Sequence, residues 1–178
     1  DLDKNGFIDT YDQMAIGGTE NPEIVYGFGV NLRWKELDFG AMFQGIGRTW
    51  RILSSNIMPA SNKGSMYNIF DNYQDRWTVD NQSQDVFYPR ADYGPNANNS
   101  QKSTWWLRNM SFLRLKNLEL GYSCPKKWLQ GFVISNARVF VRGTNLLTFS
   151  KFNLWDPELA TGDGAKYPAM KSVSVGFD

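Results

Sequence analysis

Apolar and polar side chains alternate residue by residue in separate stretches of this chain, and that pattern limits the folds open to it. In IVYGFGVNLRW, Tyr26, Phe28, Val30, Leu32 and Trp34 share one phase, and Gly27, Gly29, Asn31 and Arg33 share the other. Period two predicts a strand with one apolar and one wet face. A tight polar turn at Lys35 and Glu36 leads into LDFGAMFQG. There Leu37, Phe39, Ala41 and Phe43 alternate with Asp38, Gly40, Met42 and Gln44, which predicts an antiparallel hairpin.

The third strand is expected over residues 111–122. Leu113 and Leu115 keep one phase, while Leu118, Leu120 and Tyr122 keep the other. The switch near Lys116 and Asn117 predicts a β-bulge. A polar turn through Pro125 and Trp128 leads to a fourth strand over 136–147, with Ala137, Val139, Val141 and Gly143 opposite Arg138, Phe140, Arg142 and Thr144. The last strand starts near Met170, with Val173, Val175 and Phe177 on one face. Residues 47–109 and 148–169 read as long loops, with a helical stretch expected near 66–77.

Composition narrows the function. The chain has 19 basic and 18 acidic residues, so charge points neither to nucleic acid nor to an anionic surface. It has no histidine, which removes the commonest general base and zinc ligand. Cys124 is the single cysteine, so no internal disulfide forms. No apolar run approaches the roughly 20 residues of a membrane-spanning helix. A β-barrel needs no such run, because every second strand residue faces water. A soluble β-sandwich shares the same period-two signal. Connections that alternate between short and long fit a barrel with short turns in the periplasm and long loops outside, and on pattern alone barrel and sandwich weigh about equally. On the barrel reading Arg33, Asp38, Gln44, Arg114, Glu119, Arg138 and Arg142 line a wet lumen.

The segment DLDKNGFIDTYD matches an EF-hand loop. Asp1, Asp3, Asn5 and Asp9 offer side-chain oxygens, Phe7 its carbonyl, and Asp12 the closing carboxylate. Gly6 permits the sharp turn. Calcium favours such a density of hard oxygens, and the short Asp12 in place of glutamate predicts weak binding. The alternative is an acidic turn satisfied by its own amides. Trp50, Tyr67, Phe70, Tyr73, Trp77, Phe87, Tyr88 and Tyr93 are expected to pack the long loop against itself, ahead of a role in stacking on sugars or meeting a partner. Trp34, Trp105, Trp106 and Trp128 are expected in interface girdles. Asp156 and Glu158 in WDPE lie too close in sequence to straddle a glycosidic bond, so a turn or cap is expected there. A lumen ion pair with Glu119 accounts for Arg138 and Arg142.

Several blocks carry a family resemblance. SFLRLKNLELGYSCPKKW, ISNARVFVRGTNLLTFSKF and WDPE resemble the C-terminal part of SusC/RagA-type TonB-dependent outer-membrane transporters of Bacteroidetes. DLDKNGFIDTYDQ, IGGTENPEIVYGFGVNL, FQGIG and RWT precede them in that family's order. The resemblance implies an all-β fold: antiparallel strands forming the C-terminal part of a 22-stranded transmembrane barrel with long extracellular loops. It implies import of glycans or peptides, a SusD-like lipoprotein partner, and drive from TonB through an N-terminal segment outside this chain. The plug domain is likewise expected outside it, since both ends read as cuts in something longer. A non-enzymatic importer in the outer membrane is the leading expectation. A soluble calcium-stabilised β-sandwich that binds carbohydrate is the alternative, and a glycan-cleaving fragment is third.

Overall fold

A computed structural model describes residues 1–54, 70–91, 98–131 and 133–178. The chain divides into two compact units. One comprises Asp1–Gly18, Arg51–Arg108 and Thr161–Asp163; the other comprises Thr19–Trp50, Asn109–Ala160 and Gly164–Asp178.

The second unit is built on strands β1 (Ile24–Trp34), β2 (Leu37–Gly47), β5 (Phe112–Ser123), β6 (Arg138–Ser150) and β7 (Ser172–Phe177). They form one antiparallel sheet in the order β1-β2-β5-β6-β7. Short strands β3 (Trp50–Ile52) and β4 (Leu107–Asn109) pair separately. The β1–β2 turn is as tight as expected, with Lys35 in the left-handed region at φ 54°.

The register sorts the side chains cleanly. Leu32, Phe39, Leu120, Val141 and Val175 form one row across the sheet. Trp34, Leu37, Tyr122, Val139 and Phe177 form another at its turn end. Phe28 stacks on Phe43 with ring centroids 5.1 Å apart. The apolar face stands open: Leu32 is 60 %, Leu120 53 % and Val175 72 % exposed. A sandwich buries such a face against a second sheet, so the sandwich alternative is set aside. Lipid is the solvent in which an uncovered apolar face is stable. Strands of 11 to 13 residues are long enough to cross a bilayer at a tilt.

The predicted bulge is present at Lys116. β2 pairs Met42 with Asn117 and Phe43 with Leu115, which skips Lys116. The extra residue restores the phase, so Leu113 and Leu115 share the apolar face with Leu118, Leu120 and Tyr122. It also turns Lys116 toward the polar face beside Arg114. β6 answers with its own irregularity: it pairs Leu147 with Leu115 and Thr144 with Asn117, and Asn145 adopts φ 52°. That break in alternation is why the sequence ends this strand at residue 147, whereas pairing continues to Ser150.

Near the opposite end, the Tyr26 ring lies across Gly45 and its hydroxyl donates to the Phe112 carbonyl at 3.1 Å. A Cβ on Gly45 would stand 2.5 Å from that ring and 2.5 Å from the same carbonyl. Gly45→Ala is therefore expected to expel the ring and cost roughly 1–3 kcal/mol, from a lost hydrogen bond and crowding. Urea titration of the full-length barrel in detergent would show this as a lowered midpoint.

Candidate functional site

The acidic loop closes on itself and brings three of its carboxylates together. Carboxylate oxygens of Asp1, Asp3 and Asp12 lie within 4.8 Å of one another. Backbone amides hold them there. Asp1 accepts from Asn5 N at 3.1 Å and Gly6 N at 2.9 Å, and Asp3 accepts from Asn5 N at 3.1 Å. Gly6 sits at φ 87°, the left-handed conformation its lack of a Cβ permits. Asp12 accepts from Leu2 N at 2.5 Å and Asp9 N at 2.8 Å. Those amides, Asp9 N foremost, hold the Asp12 carboxyl below its ordinary value of 3.8.

Asp9 and Asn5 are drawn elsewhere. Asp9 caps the single turn Thr10–Asp12, accepting from Tyr11 N at 2.8 Å. Asn5 Oδ1 accepts from Phe7 N at 2.8 Å, and its Nδ2 donates to Asp3 at 3.0 Å. The sequence cannot separate ligands from caps here, because Asp and Asn oxygens serve both. Three like charges this close suit a hard divalent cation.

In the same unit the loop aromatics pack on each other. Trp106 is 1 % and Tyr88 2 % exposed. Phe87 meets both edge-on, with centroids 4.7 Å away for Tyr88 and 6.4 Å for Trp106. Trp106 Nε1 donates to the Asn99 carbonyl at 2.9 Å, and Trp105 Nε1 donates to the Phe87 carbonyl at 3.0 Å. Burial raises the Tyr88 hydroxyl above its ordinary value. Trp105 and Trp106 are thus loop anchors, not the girdle residues expected, whereas Trp34 and Trp128 are 67 % and 66 % exposed, as a girdle requires. Tyr67 and Tyr93 lie outside the described residues. So does the start of the helical stretch expected near 66–77; its described part holds one turn, Asp71–Gln74.

The polar face of the sheet carries an ion network across three strands. Arg138 donates to Asp38 at 2.5 Å and 3.0 Å and to Glu119 at 2.6 Å, and Arg142 donates to Glu119 at 2.6 Å. Gly121 makes room for it, since a Cβ there would lie 2.6 Å from the Asp38 carboxylate. Phe140 sits between the guanidinium groups, 5.1 Å from Arg138 and 5.3 Å from Arg142.

A second network lies above the bulge. Arg114, 2 % exposed, pairs with Asp156 and, at 2.9 Å, with Glu158. Lys116 reaches Glu158 at 2.7 Å. Asp156 also caps the turn Pro157–Leu159, accepting from Glu158 N at 3.0 Å. The capping role expected for WDPE is present, and its larger role as an ionic strap is new. The readable signal was charge matching: two cations two residues apart, and two anions at the same spacing.

No family model matches the chain. It is 31 % identical over 193 residues to TonB-dependent receptor P26 of Formosa agariphila, covering 100 % of this chain and 19 % of the relative. It is 32 % identical over 162 residues to TonB-dependent receptor P3 of the same organism, covering 89 % and 15 %. TonB-dependent receptor SusC of Bacteroides thetaiotaomicron is 34 % identical over 77 residues, covering 42 % and 8 %. Among solved structures, the RagAB peptide transporter superposes with a TM-score of 0.71 at 34 % identity, over 91 % of this chain and 18 % of that one. The RagAB importer in its 'closed-closed' state gives 0.70 at 31 % identity, over 97 % and 20 %. The chain thus spans about a fifth or less of each relative.

Proposed function

Because the chain belongs to the SusC/RagA-type TonB-dependent transporters, outer-membrane β-barrel proteins, we propose that it supplies barrel wall and outer loops to an active importer of glycans or peptides. The sheet carries this reading: one face is apolar and uncovered, the other holds Arg138, Glu119, Asp38 and Arg142. A wall between lipid and a water-filled lumen needs that division. A SusD-like surface lipoprotein is the proposed partner at the outer mouth, and TonB the energy source through a segment outside this chain. Its role is transport, not catalysis.

Deleting the gene is expected to abolish energy-dependent uptake of one class of oligomer, glycan or peptide, and the full-length protein is expected to stay with the outer membrane after a carbonate wash. Recovery in the soluble fraction without detergent would defeat the reading.

The acidic loop is proposed to hold a structural calcium ion, with Asp1, Asp3 and Asp12 as the carboxylate ligands already gathered. Asn5, Asp9 and the Phe7 carbonyl would join by modest rearrangement. Extracellular loop sites of this kind bind in roughly the 0.1–1 mM range. Backbone amides hold Asp12 below 3.8 before any cation binds, so it stays ionised and able to ligate at mildly acid pH, and protonation competes only as pH falls through that lowered value. Calcium titration of the full-length protein should therefore give similar Asp12-dependent affinity at neutral and mildly acid pH. Asp3→Ala with Asp12→Ala should remove binding; a double variant that titrates like the parent would exclude the site.

A further inference from the structure

We infer that the turn end of the sheet binds an anionic phospholipid, whose phosphate settles at Lys35 and Lys126 beside the girdle of Trp34 and Trp128. The inference rests on the barrel-wall reading and adds to it a preference for one class of lipid.

The girdle sets the level. The row of Trp34, Leu37, Tyr122, Val139 and Phe177 ends the apolar face, and Trp128 packs toward Tyr122 with ring centroids 6.5 Å apart. Aromatic side chains in such a belt lie level with lipid headgroups. Lys35 stands at that level too, since its Nζ is 4.9 Å from the centre of the Trp34 ring. It does so from the left-handed region, at φ 54°, where glycine or asparagine would sit at less cost. A lysine kept in an outlying conformation is evidence of a use for its side chain.

Charge selects the ligand. The near-neutral total of the chain conceals a local excess of positive charge. Asp38, Glu119 and Asp178 contact Arg138, Glu119 also contacts Arg142, and Arg33 lies opposite Asp38 in the register. Three carboxylates thus offset three guanidinium groups. Lys35, Lys126 and Lys127 are left over, with no ion pair among the described residues, and face only the carboxylate of Glu36.

The same end offers room. A hollow of about 530 Å³ within the second unit is lined by Lys35, Lys126, Ser123, Asn136 and Glu36, together with Arg33 and the Arg138–Asp178 pair. Lysines supply charge to a phosphate, and the Ser123 hydroxyl and Asn136 amide can donate to its oxygens. A glycerol headgroup leaves the lipid with one negative charge. A zwitterionic headgroup brings a cation as well, which three lysines repel and only Glu36 can receive.

The test uses the full-length protein in nanodiscs of phosphatidylcholine. A trace of photoreactive lipid, phosphatidylglycerol or phosphatidylcholine, carries a diazirine on the acyl chain next to the glycerol. Mass spectrometry then counts cross-links on peptides holding Trp34 and Trp128. Phosphatidylglycerol is expected to label them severalfold more than phosphatidylcholine, and the excess should shrink at high salt. Each lysine near an anionic lipid is worth about fivefold. Combining Lys35→Gln, Lys126→Gln and Lys127→Gln should therefore bring the two lipids to equal labelling, whereas Lys35→Arg, Lys126→Arg and Lys127→Arg together should keep the preference.

Equal labelling by the two lipids in the parent, or a preference that survives the glutamine changes, would overturn the inference and leave the barrel wall intact. If soluble glycerol phosphate at constant ionic strength erased the preference, the site would be one for free phosphate and the inference would also fail. Labelling of neither peptide by either lipid would remove the barrel-wall reading with it.

Discussion

Replacing Arg114 by alanine is expected to free the segment Phe152–Leu159 from the polar face of the sheet, at a cost of about 3–5 kcal/mol. The size follows from burial. Arg114 is 2 % exposed and Asp156 12 %, so neither charge has water to fall back on when the other is removed. Glu158 would keep Lys116, at 2.7 Å and 23 % exposed, but that pair stands nearer solvent and holds less firmly. The rest of the strap is adapted to its docked position. Phe152 is 7 % exposed and meets Trp155 edge-on at 4.9 Å. Ala160 closes the turn at φ 51°, a conformation alanine adopts at a penalty. Once the anchor is lost, the Lys116–Glu158 pair and the burial of Phe152 and Pro157 are what remain to hold the strap. Trypsin digestion of the full-length protein in detergent should then cut at Lys151 or Lys166, sites expected to resist in the parent. Arg114→Lys should give an intermediate result, because one ammonium cannot serve two carboxylates in the forked geometry of a guanidinium. Identical digestion patterns and melting temperatures for all three proteins would show that the strap is held by something else.

The strap shows where sequence reading stops. Arg114 was assigned to a wet, lumen-lining face from phase alone; it is on the polar face, but the strap buries it there. Its partners lie 42 residues away on a loop, and alternation says nothing about where a loop returns. The bulge at Lys116 was legible because one inserted residue leaves a phase error that flanking leucines report. The matching irregularity in β6 was not, since Asn145 and Leu146 add two residues and erase the local alternation instead of inverting it. The tryptophans divide by the same logic. Trp34 ends a strand, and its phase fixed its face. Trp106 follows a long irregular stretch, and only its contacts with Phe87 and Tyr88 mark it as an anchor. In the acidic loop the motif anticipated the gathering of the Asp1, Asp3 and Asp12 carboxylates. It could not foresee Asp9 turning to cap the next turn, because capping and metal ligation draw on the same oxygen.

The two faces of β6 allow a direct test of what surrounds the sheet. Val141 is the fourth residue of β6, in the row of Leu32, Phe39, Leu120 and Val175 that lies next to the turn-end row of Trp34, and is 43 % exposed. On a soluble protein a half-exposed surface valine accepts arginine with little change, within about 0.5 kcal/mol. On the lipid face of a barrel the same change places a guanidinium in hydrocarbon one row inside the Trp34 girdle, at roughly 1–2 kcal/mol, between the interface and midplane costs. Its neighbour Arg142 provides the control, since it points to the other face, 51 % exposed and paired with Glu119. Arg142→Gln should cost little, because Glu119 keeps Arg138. Val141→Arg should therefore lower both the yield of the full-length protein in the outer membrane and its urea midpoint in lipid vesicles, while Arg142→Gln leaves both nearly unchanged. The asymmetry between adjacent residues is the diagnostic quantity, because a general folding defect would not respect the alternation of a strand. Equal tolerance at both positions would mean that this face meets water, and the assignment of the sheet to a barrel wall would fail with it.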